Sequence, residues 1–381
     1  MAYFDNAATT FPKPECVYSF MDEFYRTNGG NYGRGNYALA SATKKIIDET
    51  RDLLRALFHC ASKQVIFTPS ATLALNLIIQ GVILAGAKNI YISPFEHNAV
   101  TRTLNNYERR GKISVTELFV TDALEFDFER IKYQFAAAPP DFVIVSHASN
   151  VIGLIAPVEK IGTLAKSYGA LTLFDMAQTA GLVDLNVGLE MIDFAVFAGH
   201  KTLFAPTGIG GFVMNPVAQL KPILFGGTGF DSANQDLPSS LPERFEVGTL
   251  NILGIAGLYA ALKWIRNQTL EKIFRKEQLC RRRLIEILST YDFLEVVGNV
   301  AGRDYVGIVS CVMTGVGSDS AGNIFSERGI AVRAGLQCAP LAHKFLGTFP
   351  AGTIRFSVNC LTNDEDFWEL RAALDEIGNE L

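Results

Sequence analysis

The sequence predicts an α/β fold, a mainly parallel sheet covered by helices, followed by a smaller α+β part. Short β-branched or aromatic runs alternate with helical patterns from about residue 60 to about residue 215, and that alternation becomes irregular from about residue 260 onward. Polar residues stand directly after several of the runs, where an open α/β sheet forms its ligand crevice.

The strand candidates are QVIFTP, NIYISP, ISVTELFV, DFVIVSHA, LTLFDM, FAVFAG and GGFVMN, short enough to be central strands. Between several of them lie ATLALNLIIQGVI, NAVTRTLNNYERRG and PVEKIGTLAKSYG, with helical apolar spacing. The last stops at Gly169, a residue type that often ends helices. Residues 221–246 are rich in Gly, Pro and Ser and read as a long loop, functional or mobile in a compact enzyme. Two amphipathic helices follow, ILGIAGLYAALKWIRNQ and LEKIFRKEQLCRRRLIEILSTY, then strands YVGIVSCVMT and GTIRFSVN and a closing helix, DEDFWELRAALDEIGNEL.

With 381 residues, 49% of them hydrophobic, the chain can bury a large core and has the length of roughly two or three domains. A net charge of −5 argues against nucleic acid as a partner. The start, MAYFDNAATTFPKPE, lacks a basic region followed by an apolar stretch, so no secretory signal is expected. No run of about eighteen apolar residues is present, so no membrane span is expected, and the expected location is cytoplasmic. Cys16, Cys60, Cys280, Cys311, Cys338 and Cys360 form no Cys-x-x-Cys pair and do not cluster with the histidines. Neither a metal site nor a disulfide framework is expected. Only Cys338 has polar, glycine-rich surroundings that ask for a role other than filling a core.

Asp175 ends the run LTLFD, and Lys201 follows the run FAVFA in GHKTLFAPTGIGG. A lysine can form a Schiff base and a carboxylate can keep a pyridine nitrogen protonated, so the pair suits an aldehyde cofactor of the pyridoxal type. Taken singly, Lys201 reads as a solvated loop lysine and Asp175 as a cap or turn residue. Ser70, Ala71 and Thr72 follow another strand and open a helix, where a phosphate can bind, although in isolation an ordinary N-cap is the better reading of them. His97 follows a third strand and can stack on an aromatic ring or shuttle a proton; His147 and Asn150 follow a fourth.

FDNAATT, EHNA, SNVIG, FDMAQTAG, GHK, RFEVGTLN and RAGLQCAP, in this order over nearly the whole chain, resemble the class V aminotransferases, specifically the cysteine desulfurase and selenocysteine lyase branch. The resemblance implies the type I fold of pyridoxal-phosphate enzymes: a large domain (16–259) with a mainly parallel seven-stranded sheet, and a small α+β domain made of 1–15 and 260–381. It also implies a homodimer with active sites shared across the interface, pyridoxal 5'-phosphate as cofactor, cysteine or selenocysteine as substrate, and a sulfur-acceptor protein as a partner. By the same resemblance Lys201 carries the cofactor, Asp175 pairs with the pyridine nitrogen and Gln178 with the ring hydroxyl. His97 stacks on the ring and acts in acid–base steps. Ala71, Thr72 and His200 line the phosphate, and Thr249 reaches it from the partner subunit. Asn150 lies near the ring oxygen and the substrate carboxylate. Arg355 clamps that carboxylate, with Ala7 and Arg333 nearby, and Cys338 takes the sulfur as a persulfide while alanine leaves.

Three departures from the desulfurase pattern stand out. Ala198 replaces a phosphate-binding serine, Gly33 replaces a histidine, and Leu336-Gln337 replace a His-His pair before the nucleophile. They leave the cofactor chemistry intact and bear on substrate and acceptor. Transamination, racemisation or β-elimination by a related enzyme therefore remain alternatives, as does a non-catalytic cofactor-binding role. A dinucleotide-binding reading of TGIGG lacks the full glycine fingerprint.

Overall fold

Every apolar run read as a strand forms one in the computed structural model of the chain, which describes residues 1–31, 35, 37–229 and 233–380. Gly33, singled out above, lies outside the described residues. The chain opens with β1 (Ala2–Tyr3) and the helices α1 (Glu15–Asn28) and α2 (Ala38–Leu57). Next come β2 (Gln64–Thr68), α3 (Ala71–Leu84), β3 (Asn89–Ile92), α4 (Asn98–Glu108), β4 (Ser114–Glu117), α5 (Phe128–Ala137), β5 (Phe142–Ser146) and α6 (Val158–Ser167). β6 (Leu171–Asp175), β7 (Phe194–Ala198) and β8 (Gly210–Met214) follow with only turns between them. The remainder holds α7 (Ile252–Gln268), α8 (Leu270–Leu288), β9 (Leu294–Val297), β10 (Ile308–Met313), α9 (Ser318–Glu327), β11 (Ile330–Ala331), β12 (Arg333–Gly335), α10 (Pro340–Phe345), β13 (Thr353–Ser357) and α11 (Asp364–Glu380).

The large sheet has seven strands in the order β2-β8-β7-β6-β5-β3-β4, and only β8 runs against its neighbours. Its central strands β5, β7 and β8 are buried along their whole length because both faces are covered, whereas the edge strand β4 is partly exposed. Alternate residues point to opposite cores: Phe174, Ala195 and Phe197 pack toward α2, α5, α6 and α7, while Leu173, Phe194 and Val196 pack toward α3 and α4. The sequence pattern above does not mark α1, α2 or α5. Neither Pro14 before α1 nor Tyr37 before α2 offers a side-chain cap, and α1 buries only Val17 and Phe24.

The second sheet is antiparallel, in the order β12-β13-β10-β9, with β1 pairing β11 beside it. Phe4 packs with Phe325, Phe356 and Phe367 in a separate core, so the first residues fold with the last hundred or so. We propose that the large and small parts meet at the α7–α8 turn rather than at 259/260. α7 is one helix across that point and packs on α1 and α2, whereas Thr269 turns the chain with φ 68°.

Glu277 of α8 lies on the inner face of the small part, 4% exposed, and its Oε1 accepts a hydrogen bond from the Gly307 N–H at 2.7 Å. Burial pushes its carboxyl up to about 8, with Arg281 acting in the opposite direction. The folded chain therefore holds this proton to higher pH than the unfolded chain. The stability it secures is fully present below the ordinary carboxyl range and is lost as pH rises through about 8. Glu277→Gln should flatten that loss, on the order of a few kcal/mol between about pH 6 and about pH 9. Urea unfolding at both pH values checks it; equal pH slopes for the two proteins refute it.

Candidate active site

The carboxyl ends of β2, β3, β5, β6 and β7 converge on a cavity of ≈ 240 Å³ lined by Thr72, His97, Asp175, Gln178, His200 and Lys201, with Ala71, Asn150 and Ala198 also on its wall. A parallel sheet imposes this meeting, since strands that run in the same direction end on the same side of it. At one end, Ser70 caps α3 by accepting from the Leu73 N–H at 3.2 Å, so the first turn of the helix faces the cavity with Ala71 and Thr72. Ser70 and Thr72 are exposed, so this end of the cavity is open.

At the floor, Asp175 is 6% exposed and its Oδ1 accepts from the Ala177 N–H at 2.9 Å. Burial raises its pKa while the Ala177 N–H and Lys201 pull it down. Burial also pushes the Lys201 amine down to about 8, with Asp175 resisting. His97 caps α4, its Nδ1 accepting from the Ala99 N–H at 3.0 Å, so Nε2 carries the proton of the neutral ring. Burial first, then the positive charge of Lys201, Arg102 and Arg355, takes His97 down to about 4. His200 falls to about 4 for the same leading reason, and its Nδ1 is buried without a partner. His147 turns away from the cavity, pairing its Nδ1 with the Thr179 hydroxyl at 2.9 Å.

The amino-terminal segment and the small sheet close the other side. Gln178 Nε2 donates to the Ala7 carbonyl at 3.0 Å, and the Ala7 N–H donates to Ser357 Oγ at 2.8 Å. Arg355, 3% exposed on β13, donates from Nη1 to the Asn150 carbonyl at 2.9 Å and from Nη2 to Asp5 Oδ1 at 3.0 Å. Its Nε and the side-chain Oδ1 of Asn150 are buried without partners. Arg333 Nη2 donates to the other oxygen of Asp5 at 2.6 Å.

Ala7, Arg333 and Arg355 are not on the cavity wall, and two more expected site residues stand apart from it. Cys338 is exposed and borders an adjoining groove of ≈ 940 Å³ beside Asn98 and Arg102 of α4. Its carbonyl accepts from the Asn98 N–H at 2.7 Å, which sets it one residue from His97. Thr249 is exposed in the loop before α7 and borders a separate pocket with Glu246 and Gly248.

The structure adds two acids. Asp5 ties together the arginines of the small sheet, and its place inside FDNAATT, two residues before Ala7, is the signal that marks it. Glu96, beside His97, is fully buried and pushed up to about 7 by burial. It accepts from Ser93 Oγ at 2.5 Å and from the Ser146 N–H and Oγ at 2.6 and 2.8 Å, pinning the ends of β3 and β5 together. Among the described residues no group of His, Cys, Asp or Glu is placed to hold a metal ion, and no helix is long and apolar enough to cross a membrane.

Among solved structures, the apo form of the cysteine desulfurase from Thermococcus onnurineus NA1 matches the chain with a TM-score of 0.91 at 28% identity, covering 100% of this chain and 95% of that one. The architecture is thus the type I fold of pyridoxal-phosphate enzymes. Within it the chain belongs to the aminotransferase class-V family, whose model matches residues 2–370. The probable cysteine desulfurase of Methanothermobacter thermautotrophicus is 29% identical to it, over 98% of this chain and 94% of that protein. That of Pyrococcus abyssi is also 29% identical, over 100% of this chain and 94% of its own.

An amine lowered to about 8 is roughly half uncharged at that pH, when solvated lysines are almost wholly protonated. With cofactor removed, a small aromatic aldehyde followed by borohydride at about pH 8 should label Lys201 before surface lysines, as read by peptide mass spectrometry. Labelling of Lys201 no faster than theirs would contradict the lowered amine.

Proposed function

We propose that the protein is a pyridoxal 5'-phosphate-dependent cysteine desulfurase, converting L-cysteine to L-alanine with the sulfur held as a persulfide on Cys338. The observation that carries this reading is one cavity holding Lys201, buried Asp175 and His97, whose neighbour Asn98 donates its N–H to the carbonyl of the exposed Cys338. The cavity's residues fit the cofactor. The first turn of α3 with Thr72, and the unpartnered Nδ1 of His200, suit a phosphate. Asp175 suits a protonated pyridine nitrogen, Gln178 has a second amide N–H for the ring hydroxyl, and neutral His97 can stack on the ring. When bound, the cofactor supplies an electron sink for the substrate Cα.

Lys201 moves the Cα proton, for which an amine near neutral pKa is suited. Arg355 receives the substrate carboxylate through its free Nε edge, with Asn150 Oδ1, Ala7 and Arg333 completing that end. The Cys338 thiolate attacks the substrate sulfur. The S–S bond forms as the C–S bond breaks, the electron pair stays on the substrate Cβ, and a proton makes it the methyl group of alanine. A thiol on a sulfur-acceptor protein then takes the persulfide sulfur. The exposure of Thr72 and Thr249 supports a homodimer in which each Thr249 faces the other subunit's phosphate end. The free thiols of the described structure suit the cytoplasm.

The placement of Cys338 in the adjoining groove favours one second reading, selenocysteine cleavage, in which release of selenium depends less on the thiol. Purified protein is incubated with L-cysteine or L-selenocysteine and a reducing thiol, and alanine is measured. The parent should form alanine from cysteine. Lys201→Ala should lower kcat by about 10³-fold or more, Arg355→Ala should raise KM by about tenfold or more, and Cys338→Ala should abolish turnover of cysteine before that of selenocysteine. No alanine from either substrate sinks the reading; full activity of Cys338→Ala with cysteine excludes the persulfide.

A further inference from the structure

Gln337 and Cys338 are consecutive non-glycine residues with left-handed backbone, φ 39° and 58°. L side chains rarely adopt this conformation, and it persists only where the surroundings over-determine it. Four hydrogen bonds do so here. The Gln337 carbonyl accepts from Asn150 Nδ2 at 2.6 Å, and the Cys338 carbonyl accepts from the Asn98 N–H at 2.7 Å. The Gln337 side chain, 8% exposed, donates from Nε2 to the Thr353 carbonyl at 2.9 Å and offers Oε1 to His343 Nε2 at 2.8 Å. The Thr353 hydroxyl adds a weaker contact to the same oxygen at 3.2 Å.

His343 is fully buried, and its Nδ1 meets the Thr348 hydroxyl at 2.8 Å. Because the Gln337 amide N–H is spent on Thr353, its oxygen faces the ring. His343 Nε2 therefore carries the hydrogen and Nδ1 accepts from Thr348. One neutral imidazole thus fixes one amide, and that amide fixes the residue immediately before the cysteine. Neither side chain lines the cofactor cavity, and the chemistry described above uses neither.

We propose that Gln337 and His343 are positioning residues for Cys338: their buried hydrogen bond holds the left-handed turn that presents the thiol, and without it sulfur transfer slows while substrate binding is retained. The proposal rests on Cys338 being the sulfur carrier. A residue that merely stabilised the fold would affect binding and transfer alike.

The test uses the holoenzyme and compares Gln337→Ala, His343→Asn and His343→Gln. Glutamine places an amide N–H near the position of Nε2 and retains the bond to Gln337; asparagine reaches only the position of Nδ1 and loses it. Gln337→Ala and His343→Asn should lower kcat for alanine formation from L-cysteine by about tenfold or more, with KM and the absorbance change on adding L-alanine unchanged. Hydrogen exchange of the peptide covering residues 333–345 should quicken by about tenfold in both. His343→Gln should stay within about threefold of the parent in every measurement. Should His343→Asn fail to fold, Thr348→Val, which removes the hydroxyl that fixes the ring, is judged by the same readouts. A kcat within about twofold of the parent in Gln337→Ala, or an equal loss of the alanine response, overturns the proposal. A parent that makes no alanine from cysteine instead defeats the desulfurase reading, and hydrogen exchange alone then decides whether the pair orders the loop.

Discussion

The buried contact between Asp5 and Arg355 is the constraint on which the rest of the site depends. It joins a residue at the very start of the chain to the centre of the small sheet, and the same guanidinium reaches the Asn150 carbonyl beyond the end of β5 in the large sheet. The small part, with its amino-terminal segment, is thus tied to the large sheet by one side chain that is 3% exposed. A buried guanidinium stripped of its carboxylate costs about 3–5 kcal/mol, so this contact cannot be absent from a stable fold without compensation. Its charge balance also matters for function. Two guanidinium groups, Arg355 and Arg333, share one Asp5 carboxylate, so one positive charge is left unmatched beside an unpartnered Arg355 Nε. On the proposed reading, a substrate carboxylate would supply the missing charge and the missing acceptor together.

The cavity obeys the same logic in reverse. Burial drives Lys201, His97 and His200 toward their neutral forms and raises Asp175. The groups are therefore held where a charge is unfavourable until a complementary one arrives, and each then gains more from its partner than it would in water. Glu96 lies behind His97, fully buried, and accepts three hydrogen bonds within the protein. A lysine whose amine is lowered to about 8, with a carboxylate in the same cavity, suits both attack on an aldehyde and later proton transfer.

Much of this was legible in the sequence because strands covered on both faces must be apolar without interruption, and the residues directly after them must face the crevice. Asp175, Lys201, His97 and Asn150 were readable for that reason. Residues whose roles arise from distant partners were not. Glu277 meets Gly307, and His343 meets Gln337 and Thr348; each is a lone polar letter in an amphipathic stretch until the chain folds. The helices α1 and α2 escaped notice because neither has a side-chain cap. Thr249 was named only through its resemblance to a known pattern, and a single subunit leaves it exposed. The boundary at 259/260 was read from where the alternation becomes irregular, whereas α7 runs unbroken through that point and packs on α1 and α2.

The cysteine loop shows why its glycines are where they are. Gly352, with φ 76°, passes so close to Gly335 that an added Cβ would overlap the Gly335 carbonyl, and Gly335 itself has φ 91°. The two ends of the loop therefore cross at a point where only glycine fits. Just after Gly335 the left-handed Gln337 and Cys338 turn the chain toward α10. A turn this tight leaves the cysteine side chain exposed while its carbonyl is bound to the start of α4, next to His97. Rigid strand ends suit groups that must keep fixed charges and distances. A strained loop anchored by a buried amide suits a thiol that must face the substrate and then a second reactant from solvent, because its backbone is fixed while its sulfur stays accessible.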